Sequence, residues 1–531
     1  MPDTNAALPR SSMSRAPSVA AAALLLAASI LASRLLGYLR DVVLAWQYGA
    51  SAQTDAYHAA FWLPDLLNYF LAGGALSLTF IPMYSALVEQ QNQDRAWRLF
   101  WTLALTTVAL LVPSITLAWI FAADIVRVMY PGFNAEQMAL TVQLTRIILP
   151  GPLFFALGGL IGATELANRR FVAAALSPLI YNLCIVLGGT VAARWLGISG
   201  FSVGVLAGAV LGPFLLTAAF AARHVRWVSP LSLRELEVRR YWWLALPLML
   251  GVSLTTVDEW LGRWAAASLE PGSLTWQNNA RRLMLVPVAL LGQAAGQAAL
   301  PFLSKLYAES RELDFQRVLG ESLRLTWSLA TVMGVGLAVV AIPISATVYG
   351  WGAYNAQDVR ETAGVLAVLA FAVPTWCAQS ILTRAWYARQ RMWAPMLLTT
   401  ASALVMIPLY RLGANVAGLS GVAWATVGGL GLTYVVLLVA GEITGVSRAL
   451  SATWSGLWRG GASAAIGATG ASLVALPLAS TGAVTQLLTT GATYVALSLC
   501  PMWYLDAAAR DWITGRLKRV SGRILRPSRE A

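Results

Sequence analysis

Between Ser33 and Leu87 the chain places Arg34, Arg40, Asp41, Asp55, His58 and Asp65 within or beside segments otherwise apolar enough to cross a bilayer. An ionised side chain at membrane depth costs about 2.5–3.5 kcal/mol on insertion scales, so such groups ordinarily face a wet cavity and have a role there. Arginine's planar fork suits phosphate or carboxylate recognition. Arg34 and Arg40 are six residues apart, about a third of a turn round a regular helix and about 9 Å along it, so both can look into a wide cavity. Two structural roles compete with this reading: Arg40 capping the helix end and pairing with Asp41, and Arg34 in an intramembrane salt bridge with Asp55 or Asp65. Pro64, Gly73–Gly74 and Pro82 interrupt the second apolar segment, as in transporter helices that bend around a substrate.

A second set of charges lies past the middle of the chain. WQNNARRLMLVP (276–287) opens a helix with adjacent arginines. Arg281 and Arg282 point about 100° apart on a regular helix, so at most one faces a cavity squarely. Upstream, Asp258 and Glu259 sit within an apolar helix. Either Glu259 pairs with Arg263 one turn on, or the two acids form a proton or cation site. Enzyme signatures are missing: there is no GK pair and hence no Walker A loop, no HExxH, and His58 and His224 are too few and too far apart for zinc. No catalytic residue, metal or cofactor is expected. Membrane potential or an ion gradient is left to drive any transport.

The elements that must position these groups are transmembrane helices. Of 531 residues, 58% are hydrophobic and only 11% charged, with mean hydropathy +0.65, against about 25% charged in an ordinary soluble domain. Apolar runs of roughly 20 residues, each able to cross a hydrocarbon core, recur about fourteen times. Residues 1–17 followed by the apolar run 18–31 have a secretory-signal pattern, but the run flows into Ser33–Asp41 and is read as a retained first helix. Cys184, Cys377 and Cys500 lie far apart, so neither a disulfide framework nor a thiolate metal site is expected.

The net charge of +13 is almost all arginine; Lys305 and Lys518 are the only lysines. Alternate loops hold about four basic residues for each one opposite, which puts both termini in the cytoplasm and makes nucleic acid an unneeded partner. The basic tail is read either as lying on the anionic inner leaflet or as a solvated terminus. An internal repeat is visible: IPMYSAL (81–87) matches LPFLSKL (300–306) at an offset of 219, while FNAEQ (133–137) matches YNAQD (354–358), and LANRRF (166–171) matches YARQRM (387–392), at 221. The expected architecture is an all-α polytopic membrane protein of two similar lobes, about six helices each. The divisions are an extension over 1–17, an N-lobe over 18–221, a basic cytoplasmic linker over 222–240, a C-lobe over 241–440, two further helices over 460–506 and a basic tail over 507–531.

At SRLLGYLRD, YGAS–TDAYHAAFWLPDLL and GALSLTFIPMYS, and again at PGFNAEQ, NNARRL and YARQRMWAP, the chain resembles the MurJ (MviN) lipid II flippases of the multidrug/oligosaccharidyl-lipid/polysaccharide exporter superfamily. The resemblance covers roughly residues 18–440. It implies that Arg34, Arg40 and Arg282 match the family's essential cavity arginines and bind substrate, and that Asp55 matches its outer-side aspartate. Asp41, Asp65 and Arg281 are the remaining gate and cavity candidates, and Asp258 and Glu259 the ion-coupling candidates. Trp62 and Asn68 stand where the family commonly has a lysine and an arginine, Gly73 replaces a frequent glutamate and Leu285 an acidic residue. The implied activity is translocation of the undecaprenyl-pyrophosphate-linked peptidoglycan precursor, lipid II, to the outer leaflet of the bacterial inner membrane, with membrane lipids and cell-wall synthesis machinery as partners. A cation-coupled drug antiporter, an exporter of another polyprenyl-linked glycan and a non-transporting scaffold are the alternatives.

Overall fold

Proline and glycine dictate where this chain bends. The computed structural model describes residues 19–71, 79–250, 254–477, 481–505 and 510; the extension over 1–17, Gly73 and the basic tail apart from Arg510 lie outside them. The described residues contain helices and no strands. Among the described residues eight helices are long and apolar enough to cross a membrane, nine if the bent pair Ala356–Leu369 and Ala372–Ala388 is one span. The all-α polytopic class is therefore as expected, and the second apolar segment, expected to be interrupted at Pro64, Gly73–Gly74 and Pro82, comprises Ala52–Ala59, Trp62–Leu71 and Ile81–Glu89, with 72–78 outside the described residues. Pro64 falls in the first turn of the second piece, where its missing N–H costs nothing. Elsewhere prolines loosen the ladder without ending it: π-helical turns run over Val210–Leu216, around Pro213, and over Val288–Gln293, directly after Pro287.

The repeat is written in the backbone. Positive φ in a non-glycine residue is uncommon, and here it occurs at Gln91, Arg169, Ser310 and Gln390. These form two pairs, 219 and 221 residues apart, at the offsets of the sequence matches. Gly197 (φ 56°, ψ −145°) and Gly418 (φ 56°, ψ −135°) form a third, also 221 apart; the second is the kink inside the 51-residue stretch Trp393–Ile443. Asn134 and Asn355, again 221 apart, each cap a helix with a reciprocal capping box.

The chain forms two compact units from alternating segments. The first comprises residues 1–40, 67–115 and 150–249. Its core joins Phe80, Tyr84, Trp97, Phe100, Leu160 and Tyr241. The first helix is tied to Val172–Leu187 by Ser29 donating to the Ala175 carbonyl and by Asn182 donating to Ser33 Oγ at 3.1 Å. Residues 225–231 lie along Gln93–Ile120, which Arg98 and Trp101 bond through the carbonyls of Ser229 and Arg226.

The second unit comprises 41–66, 116–149 and 250–531. Its largest core runs from Trp276 through Leu283 and Leu366 to Val373. The helices Leu450–Ala475 and Ala483–Leu505 pack onto Glu312–Val339, where Tyr494 donates to the Val332 carbonyl at 2.6 Å. A Cβ on Gly460 would stand 2.7 Å from the Ser328 carbonyl oxygen, so this crossing requires glycine.

Candidate functional site

The second unit gathers most of the charges singled out in the sequence. At its centre is the helix Ser273–Pro287, whose N-cap residue, Gly272, has φ +99° and no side chain to offer. The first N–H groups of a helix need acceptors, and Asp55 supplies them from far away in sequence. Its carboxylate accepts from Gly272 N–H (2.6 Å), Thr275 N–H (2.8 Å) and Thr275 Oγ1 (2.6 Å). Thr275 Oγ1 also lies 2.9 Å from Thr54 Oγ1. A carboxylate at a helix N-terminus is favoured by the helix dipole as well, so Asp55, only 2% exposed, is a cap borrowed from a residue more than two hundred positions earlier. Asp55 is aimed by its own short helix, Ala52–Ala59, which begins in a Ser51–Thr54 capping box.

Further along Ser273–Pro287 the adjacent arginines part company. Arg281 is buried: its Nη1 donates to Asp258 at 2.8 Å and its guanidinium lies 5.2 Å from the Trp376 ring. Tyr410 donates to the other oxygen of Asp258, and its hydroxyl meets Thr426 at 2.8 Å. Arg282, on the next face, keeps 36% of its side chain exposed and pairs through Nε with the buried Asp41 at 2.6 Å. Asp41 therefore serves Arg282 across more than two hundred positions of sequence. On the neighbouring helix Leu254–Ala266, Glu259 pairs with Arg263 one turn on, and Arg263 also reaches Asp65 at 3.9 Å. Trp62 meets Trp260 edge to face, with ring centroids 6.2 Å apart. His58 is buried beside Tyr57.

Arg34 and Arg40 lie on the first helix, Val19–Tyr48, in the part belonging to the first unit. Arg34 is exposed and Arg40 partly buried. Asp55 and Asp65, weighed in the sequence as partners for Arg34, have the partners given above.

Several members of this cluster were not singled out from sequence: Gly272 and Thr275 as the groups Asp55 caps, Tyr410 on Asp258, and Asp358, which accepts from Trp276 Nε1 at 3.1 Å while closing the capping box of its own helix. The Pro271–Gly272–Ser273 turn and the Asn355–Asp358 spacing were legible signals of helix starts. Among the described residues no three His, Cys, Asp or Glu side chains converge as metal ligands. The arrangement can hold two buried helix ends and two adjacent guanidinium groups at different depths. One of those groups is open to an anion.

The family model described as lipid II flippase MurJ matches residues 44–496. A lipid II flippase MurJ from Burkholderia cenocepacia is 29% identical over 397 residues, covering 71% of this chain and 76% of the relative. A probable lipid II flippase MurJ from Aquifex aeolicus is 27% identical over 404 residues, covering 75% and 78%. Among solved structures, a lipid II flippase MurJ in an inward closed conformation superposes with a TM-score of 0.74 at 21% identity, covering 90% of this chain and 98% of its own. An inward-facing multidrug-resistance MATE transporter of the MOP superfamily gives 0.65 at 12% identity, covering 80% and 98%. At these identities the structural likenesses speak to fold.

Proposed function

This chain belongs to the lipid II flippase MurJ family, and from that membership we propose that it translocates lipid II, the polyprenyl-pyrophosphate-linked peptidoglycan precursor, from the inner to the outer leaflet of the bacterial cytoplasmic membrane. The observation that carries the proposal is Arg282: a guanidinium on a helix long and apolar enough to cross a membrane, its side chain 36% exposed, held on a carboxylate that a pyrophosphate can replace. Arg34, Arg40 and Arg282 bind the pyrophosphate in this reading, and the polyprenyl tail stays in lipid. Asp55, Asp41 and Asp65 make the contacts that part when the outer side opens, by alternating access. The termini are cytoplasmic, as the excess of arginine in alternate loops supports. The protein moves its substrate without making or breaking a covalent bond in it.

An inside-negative potential favours export of an anion by about 2.3 kcal/mol per charge per 100 mV. We assign the driving force to that potential, because Asp258 is already engaged by Arg281 and Tyr410, and Glu259 by Arg263; a cation at either would have to displace a guanidinium. The same pairing disfavours cation-coupled drug antiport. The test is a leaflet-accessibility assay for lipid II in cells depleted of their own flippase. The wild-type chain should restore outer-leaflet lipid II, and Arg282→Ala, present in the membrane at normal level, should not. Full restoration by Arg282→Ala would overturn the assignment.

A further inference from the structure

The first unit carries a basic hollow that the transport reading does not use. Two adjoining cavities, of about 360 and 530 Å3, share Arg170, Arg223 and His224. The smaller is polar, with Tyr84, Gln93 and Asn168 among its walls. The larger runs from Arg169 and Arg223 onto an apolar strip of Phe171, Val172 and Phe220, of which Val172 and Phe220 are exposed. Two of the arginines have carboxylates: Arg170 pairs with Glu165 at 3.5 Å and Arg226 with Asp94 at 2.9 Å. Arg169 and Arg223 are exposed and pair with no carboxylate among the described residues. The hollow therefore carries two uncompensated positive charges, continuous with an oily strip.

The walls are pre-set. Arg169 stands at φ 59° in the turn that ends the helix Gly151–Ala167, which the Arg170 N–H closes onto the Glu165 carbonyl at 2.8 Å. The segment bearing Arg223 and Arg226 is held by Trp101 donating to the Arg226 carbonyl at 2.9 Å, and Trp227 stacks on Trp101 with centroids 4.4 Å apart. Exposed tryptophan beside arginine is what a membrane–water interface selects. Nor does the fold require these charges. In the equivalent turn 221 residues on, Gln390 replaces Arg169, and the positions equivalent to Arg223 and Arg226 are Thr444 and Ser447.

We propose that this hollow binds one anionic glycerophospholipid of the adjacent leaflet, its phosphodiester on Arg169 and Arg223 and an acyl chain along Phe171, Val172 and Phe220. Basic pockets between helix ends recognise anionic headgroups in this way. The lipid clips the turn over 168–171 to the end of the helix Thr217–Ala221, and it does so whether or not the transport assignment holds.

The experiment is native mass spectrometry of the purified full-length protein, titrated with phosphatidylglycerol or with phosphatidylethanolamine of the same chains. Two contacts worth about fivefold each should give the wild type about a twenty-five-fold preference for the anionic lipid. Arg169→Glu/Arg223→Glu should bring that preference to near unity, as should the milder Arg169→Gln/Arg223→Gln if the charge reversal harms folding. Arg239→Glu/Arg240→Glu, which removes the same charge from exposed positions outside the hollow, should leave it unchanged. An unchanged preference in the hollow variants, or an equal loss in the Arg239/Arg240 variant, overturns the site. Inorganic pyrophosphate displacing phosphatidylglycerol at equal concentration would overturn the lipid as its occupant.

Discussion

Arg281 and Arg282 are neighbours in sequence, made of the same atoms, and each holds one aspartate, yet they sit in different worlds. Arg281 and Asp258 are both about 6% exposed and are flanked by Tyr410 and Trp376. Arg282 is six times more exposed than Arg281 and its aspartate is buried. The 100° step of a helix is enough to separate them. A buried pair with a further hydrogen bond cannot exchange its partner without stranding a charge, so it fixes how helices pack. A pair with one face open can trade its carboxylate for another anion. Chemistry at this site is therefore decided by depth more than by residue type.

The largest effect should come from breaking the buried pair. Arg281→Ala leaves Asp258 uncompensated and should cost about 3–5 kcal/mol, visible as a steep fall in thermal stability of the purified protein. Asp258→Leu/Arg281→Met, which removes both charges and keeps volume, should recover most of that loss. Failure of the double variant to recover would mean that the pair itself, and not the absence of a stranded charge, holds the helices.

Next in size is Asp55. Asp55→Ala removes three hydrogen bonds from the start of Ser273–Pro287 and should cost about 2 kcal/mol, in line with loss of a strong cap. Hydrogen exchange at Gly272 and Thr275 should rise in that variant. Arg282→Ala should cost less in stability than Arg281→Ala, about 1–3 kcal/mol for taking this ion-pair partner from the buried Asp41 carboxylate, while abolishing lipid II translocation. If the two arginine variants melted alike, the distinction between anchor and exchangeable partner would fail.

How much of this could be read beforehand follows from the same distinction. The arginine pair, the i,i+4 contact of Glu259 with Arg263 and the repeat at 219 and 221 residues are local or periodic, and the chain states them openly. The sequence even implied that only one of Arg281 and Arg282 would be open. What it could not state was partnership at long range. Nothing in the sequence linked Arg282 to Asp41, more than two hundred positions earlier, and the two pair. Asp55 was weighed against Arg34, and its carboxylate caps a helix whose first residues carry no charge at all.

The smallest effect tests whether charge, and not aromatic packing, sets the ranking. Trp62 meets Trp260, the residue after Glu259, edge to face. Asp65, on the same helix as Trp62, reaches Arg263 at only 3.9 Å. Such an aromatic pair contributes about 0.5–1.5 kcal/mol beyond its buried area, and the long ion pair, with Asp65 39% exposed, contributes less than about 1 kcal/mol. Trp62→Phe keeps a ring against Trp260 and should shift stability by under about 1 kcal/mol, with translocation retained. A Trp62→Phe protein that melted as early as Arg281→Ala would show that the helices bearing Asp65 and Glu259 are held by their indoles, and the depth of the neighbouring charges would then be a consequence of that packing.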